Sequence, residues 1–118
     1  MNNKLDIKET ESKIQQDCFM WFHNSFPLLR GLLFHIPNGG YRGRVTGNRL
    51  KSIGVVAGIP DFCFVYSGTV HFFELKSESG VTSRHQNAIH HIFSKHGHPV
   101  RIIRTLDEFK IAINGIVN

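Results

Sequence analysis

The segment GIPDFCFVYSGTVHFFELK constrains this chain more than any other part of it. Two runs rich in β-branched and aromatic residues, DFCFVY and TVHFFELK, flank Ser67 and Gly68; that is the pattern of a tight β-hairpin. A two-residue loop pairs Tyr66 with Thr69, and counting outward sets Val65 opposite Val70, Cys63 opposite Phe72 and Asp61 opposite Glu74. Side chains alternate along a strand, so Asp61, Cys63, Val65, Val70, Phe72, Glu74 and Lys76 share one face, read as mostly core with a polar end. A slip of one residue would send Asp61 and Glu74 to opposite faces, so the chemistry of this end depends on the turn.

The elements around the hairpin follow from period and punctuation. Residues 1–8 are expected to be a flexible terminus, with Thr10 capping a helix that carries Glu11 in its first turn. Ile14, Cys18, Phe22 and Phe26 repeat at spacing four, broadened by Phe19, giving a core-facing helix stopped by Pro27. Leu32 to Ile36 is a short strand closed by PNGG. TGNRLKSI is short enough for a brief helix at most. Ser83 is a candidate N-cap for a helix over Ala88, Ile89, Ile92 and Phe93 with Gly97 at C′, followed by the strand VRIIR. Thr105 to Glu108 has the capping-box pattern before a last helix expected to stop at Gly115. The order is α, β, β, β, α, β, α, and 9–118 reads as a single α/β domain.

With 118 residues, 41% hydrophobic and 19% charged, the chain is in the range of ordinary globular proteins and can build one core without disulfides. Cys18 and Cys63 lie in apolar segments without metal-ligand spacing, which reads as buried thiols in a reducing, cytoplasmic setting. No apolar run approaches the roughly 18 residues of a membrane span, and no membrane association is expected. The net charge of +5 suits a polyanionic partner. Its distribution is more telling: between Asp17 and Asp61 there is no acidic residue, while Arg30, Arg42, Arg44, Arg49 and Lys51 fall in that stretch.

Two carboxylates side by side at the end of an apolar face repel each other and resist desolvation, and a divalent cation relieves both costs. Asp61 and Glu74 offer the hard oxygen ligands that suit Mg²⁺ or Mn²⁺, and Lys76 returns to the same face two residues later. Such a triad can activate a water and neutralise charge on a scissile phosphate. The plainer alternative makes Glu74 and Lys76 edge-strand solubility residues and Asp61 a turn residue after Pro60. The joint placement and the nearby basic stretch favour the functional reading.

The string GIPD, the hairpin, ELK and then SGVTSRHQ resemble the PD-(D/E)XK nuclease superfamily, and within it the virus-type replication and repair nuclease family, VRR-NUC. The likeness extends over almost the whole chain, from ESKIQ through PNGG to the closing strand. It implies a restriction-endonuclease-like αβββαβ core with a central mixed four-stranded sheet flanked by helices and an extra C-terminal helix. It further implies that Asp61, Glu74 and the Leu75 carbonyl bind the metal and that Lys76 is the catalytic lysine. Gln86 matches the family's helix glutamine, and Glu11 matches its N-terminal acid, which could hold a metal-bound water. Alternatives stay open: Gln86 as an ordinary first-turn polar residue, Glu11 as a helix-start acid.

Between the first strand and Asp61, residues Asn38, Tyr41, Arg42, Arg44, Asn48, Arg49 and Lys51 supply amides, cations and one aromatic ring suited to phosphate contacts and a base stack, against a solvated-loop alternative. Arg101 and Arg104 are a weaker case for the same role. The histidines His90, His91, His96 and His98 lack zinc-ligand spacing and read as surface or helix-dipole residues. The resulting expectation is a metal-dependent endonuclease of a bacterial or phage-infected cell. It would cut branched DNA such as four-way junctions, as a homodimer in DNA repair. The rivals are a nuclease for flap or single-stranded DNA, a non-catalytic nucleic-acid-binding protein on a nuclease fold, and a structural partner in a phage or repair assembly.

Overall fold

The computed structural model describes residues 4–37 and 44–118, with side chains described at Ile7, from Thr10 to Pro37 and from Asn48 onward. The elements are α1 (Lys4–Ser25), a single 3₁₀ turn (Pro27–Leu29), β1 (Leu33–His35), α2 (Arg44–Ser52), β2 (Phe62–Tyr66), β3 (Thr69–Leu75), α3 (Arg84–Lys95), β4 (Val100–Ile103) and α4 (Leu106–Val117). The strands form one mixed sheet in the order β1-β2-β3-β4, antiparallel except for the parallel β3–β4 pair. That parallel pair requires a crossover, and α3 is it.

The hairpin forms in the expected register: Tyr66 pairs with Thr69, Val65 with Val70 and Cys63 with Phe72. Ser67 and Gly68 both take positive φ, 49° and 81°, as a type I′ turn requires; its twist matches that of the strands. The side of the sheet that holds the main core is a correction. Phe62, Phe64, Phe73 and Leu75 point to one face and pack with Cys18 and Phe22 of α1, Leu33 and Ile103 of the neighbouring strands, and Phe109 and Ile113 of α4. Rings meet edge-on there, Phe22 on Phe64 and Trp21 on Phe109 among them. The face of Asp61, Cys63, Phe72, Glu74 and Lys76 is the thinner layer, covered by α3 through Phe72 on Phe93 at 4.6 Å between centroids, and Val65 at its far end is 40% exposed. Alternation is apolar on both faces here, so sequence period alone does not say which one receives two helices.

Three element ends also differ from expectation. Helix α1 starts at Lys4 rather than at a Thr10 cap, because LDIKE contains good helix formers and no breaker. Helix α4 runs through Gly115 to Val117. Its first turn is capped by the Thr105 hydroxyl, which accepts from Glu108 N, but the Glu108 carboxylate accepts from Arg104 N, so the expected reciprocal box is absent. That box forms at α3 instead: Ser83 Oγ accepts from Gln86 N at 3.1 Å and Gln86 Oε1 accepts from Ser83 N at 2.8 Å. Ser83→Ala is expected to cost about 1 kcal/mol of unfolding free energy in a denaturant titration. No change would mean that packing, not capping, holds this helix end. Both cysteines are free and buried, as expected. Among the described residues, no helix is long and apolar enough to cross a membrane.

Candidate active site

The site lies where β2 begins and β3 ends. Asp61 is one residue before β2, just beyond the last pair, Phe62 with Phe73, so the register continued outward leads to Glu74, and its backbone is fastened to the end of β1. The Asp61 carbonyl accepts from Ile36 N and from His35 Nδ1, each at 2.8 Å. Its carboxylate turns the other way, and Oδ2 accepts from Leu75 N at 2.8 Å. Glu74 beside it is only 2% exposed. Burial pushes its carboxyl up to about 9, with the adjacent Asp61 carboxylate adding a shared proton and like-charge repulsion, Lys76 partly offsetting this and Glu11 adding to it. Lys76 follows on the same face, 8% exposed, its backbone N–H donating to Ile103 of β4. The ammonium is close enough to act electrostatically on both Glu74 and His90.

The raised Glu74 pKa has a stability consequence. A native pKa above the ordinary value of 4.5 means that the folded state holds the proton more tightly. Stability is then full below about pH 4.5 and falls as the pH rises toward about 9. In metal-free protein, Glu74→Gln is expected to remove this decline and to gain on the order of 2 kcal/mol at pH 7. Thermal melts from about pH 5 to pH 9 decide it: parallel curves for parent and variant would contradict the assignment.

Two helices close the site from either side. Gln86 points inward, donating from Nε2 to Glu74 Oε2 at 3.1 Å; because its Oε1 is held by the α3 capping box, the amide orientation is set. Its approach depends on Gly58, at φ 85°, where a Cβ would overlap the His85 carbonyl group and lie 2.7 Å from Gln86 N. Glu11 lies two turns inside α1, not at its start, which removes the dipole reading. Its Oε2 accepts from Ser77 N at 3.1 Å just past β3, with Gly80 packed so closely that a Cβ would stand 2.6 Å from that oxygen. Arg104, a weak phosphate-contact candidate by sequence, is instead committed internally, its guanidinium donating to the Ser77, Glu78 and Gly80 carbonyls. Arg101 lies over Phe73 and against His71.

His90 is the residue that sequence reasoning placed wrongly, among surface histidines. Its Nε2 lies 3.8 Å from Glu74 Oε1, and both atoms are shut off from solvent without a hydrogen-bond partner among the described residues. Burial, with the Lys76 charge, holds its imidazole below the usual histidine range. The available signal was its spacing of four from Gln86. Among the described residues, no three His, Cys, Asp or Glu side chains form a metal-ligand group. Of the phosphate-contact candidates, Asn48, Arg49 and Lys51 are exposed on α2; Asn38, Tyr41, Arg42 and the Arg44 side chain lie outside the described residues. A groove of about 530 Å³ between α1 and β1 is lined in part by Gln15, Gln16, Phe34 and His35, the last of which holds the Asp61 carbonyl.

An αβββαβ order with α2 inserted after β1, a mixed four-stranded sheet and helices on both faces define an α/β, restriction-endonuclease-like core. More narrowly, the chain has the fold of VRR_NUC proteins. One solved structure, a VRR_NUC domain protein, superposes with a TM-score of 0.73 at 19% identity, covering 90% of this chain and 86% of that one. Another, a VRR_NUC domain, gives 0.58 at 23% identity over 89% and 95% of the two chains. No family model and no curated protein matches the sequence.

Proposed function

We propose that this chain is a divalent-metal-dependent deoxyribonuclease of the VRR-NUC type, hydrolysing phosphodiester bonds at Asp61, Glu74 and Lys76. One observation carries this reading: Glu74 is a buried carboxyl beside a second carboxylate, with Oε1 unpartnered among the described residues. A cation fits such a donor set, because it offsets both the desolvation and the repulsion. Asp61, Glu74 and the Leu75 carbonyl are the oxygen donors for Mg²⁺ or Mn²⁺, which when bound supplies an activated water and charge neutralisation at the phosphate. Asp61 is oriented by Leu75 N, and Gln86 holds Glu74 Oε2, so both carboxylates are aimed before substrate arrives. The Lys76 ammonium positions the attacking water or stabilises the charge that develops on the phosphoryl oxygens. Glu11, through Ser77, steadies the chain beyond Lys76 and stands by for a bound water.

The exposed Asn48, Arg49 and Lys51 on α2 suit phosphate contacts, which give register rather than base specificity. The finer reading is a homodimer that makes paired incisions in branched DNA such as four-way junctions, since one site cuts one strand. Junction, flap, single-stranded and linear duplex DNA, each with Mg²⁺ or Mn²⁺, test the reading. Cleavage with junctions preferred, and a dimer in sedimentation, is the expected outcome. Binding without cleavage would make the chain a non-catalytic nucleic-acid binder, and monomers without junction preference would remove the paired-incision reading.

A further inference from the structure

Lys76 directly follows β3, and three elements grip the chain as it turns away from the sheet there. Lys76 N donates to the Ile103 carbonyl of β4 at 2.9 Å. Ser77 N donates to Glu11 Oε2 of α1 at 3.1 Å. Arg104, the residue after β4, takes the carbonyl side of the same turn. Its Nη1 donates to Ser77 O at 2.6 Å and to Gly80 O at 2.7 Å, with Glu78 O farther off at 3.3 Å. The two short bonds use both hydrogens of that nitrogen. Gly80 N closes the turn on Ser77 O at 3.1 Å. The packing leaves no slack, since a Cβ at Gly80 would stand 2.6 Å from Glu11 Oε2 and 3.0 Å from Ser77 Oγ. Arg104 is fixed in turn at its own backbone, where N donates to Glu108 Oε1 of α4 at 2.6 Å. Ser77 and Gly80 are both buried, so their carbonyls need protein donors, and losing one is costly.

We propose that Arg104 is a positioning residue of the site: its guanidinium locks the Ser77–Gly80 turn and so holds Lys76 and Glu11 where the chemistry at Asp61 and Glu74 needs them. The proposal rests on the nuclease reading above and adds a residue that acts through its neighbours without touching substrate. Ser77 has its N–H on Glu11 and its carbonyl on Arg104. A shift of the turn therefore disturbs the lysine before it and the acid bonded to it together. A guanidinium suits this task because it presents its donors in a rigid fork, whereas an ammonium concentrates its charge at one point. Bonds from a charged donor are also roughly twice as strong as neutral ones. A misplacement of about 1 Å at a reacting centre can slow a reaction about 100-fold.

Single-turnover cleavage, DNA binding in metal-free buffer and amide hydrogen exchange of the same variants test it. Arg104→Gln is expected to slow cleavage at saturating protein by about 30–100-fold, with the Kd for DNA changed by no more than about 2-fold. Its Ser77 amide is expected to exchange at least about 10-fold faster. Arg104→Lys keeps the charge and part of the bonding, and is expected to be only about 3–10-fold slower than the parent. Lys95→Gln removes an equal charge at an exposed position on α3 and is expected to leave the rate unchanged. Parental cleavage by folded Arg104→Gln overturns the proposal. Weaker DNA binding with an unchanged saturating rate also overturns it, and would make Arg104 a phosphate contact. Either result leaves Asp61, Glu74 and Lys76 standing as a nuclease site, whereas a parent that cuts no DNA overturns both readings. Where Arg104→Gln does not fold, Arg104→Lys decides: slower cleavage at unchanged Kd supports the proposal, and the full parental rate overturns it.

Discussion

Asp61→Asn and Lys76→Met are expected each to lower the rate of DNA cleavage by about 100- to 1000-fold while the protein stays folded. These replacements are chosen for shape. The Asn side chain can still accept from Leu75 N, the bond that Asp61 Oδ2 makes at 2.8 Å, but it removes the negative charge needed beside Glu74. The Met side chain fills most of the space of Lys76, a residue only 8% exposed, and removes the ammonium. Losses should appear in kcat more than in KM, because in the proposed mechanism the groups lost act on the reacting centre rather than on phosphates along the strand. Single-turnover cleavage with melting curves alongside separates chemistry from folding. Full cleavage by either folded variant would remove that residue from the site.

Gly58→Ala is the substitution with the largest expected structural effect for its size. Alanine at φ 85° is strained in itself, and the new Cβ would run into the His85 carbonyl and the Gln86 amide, backbone atoms that cannot swing away. Either the turn leading to Asp61 shifts or the start of α3 lifts, and Gln86 then leaves Glu74. We expect a loss of about 2–4 kcal/mol in unfolding free energy, together with reduced cleavage. Gly54 is the control: at φ 103° it has nothing within 4 Å of a built Cβ, so Gly54→Ala should cost only the local strain, about 1 kcal/mol. Equal losses at the two positions would show that the close approach at Gly58 carries no energy.

The parts of the fold that were legible in the sequence are those set by neighbours in the chain. The Ser67-Gly68 turn is two residues long and both take positive φ, so the hairpin register follows from local backbone geometry and with it the pairing up to Phe62 and Phe73. The stripe of Ile14, Cys18 and Phe22 is likewise a local period, and Cys18 and Phe22 are buried as it requires. The ends of α1 and α4 were harder to place, because a Thr10 cap and a Gly115 stop compete with packing along the helix. The capping box was equally ambiguous: Ser83–Gln86 and Thr105–Glu108 both fit the pattern, and the Glu108 carboxylate was drawn away by Arg104 N.

The sequence by itself determined that Asp61, Glu74 and Lys76 share one face, because strand alternation and a two-residue turn leave no other arrangement once the register holds. Only the tertiary structure decided how deeply that end is buried, and which groups from outside the hairpin meet it. Both faces of the hairpin are apolar, and the choice of the Phe62, Phe64 and Phe73 face for α1 and α4 comes from the summed burial of distant side chains. Placing α3 on the other face brings Gln86 and His90 to opposite oxygens of Glu74. The SRHQ motif pointed to Gln86 and helical spacing linked His90 to it, but the contacts themselves follow from a parallel crossover that returns the chain over β3.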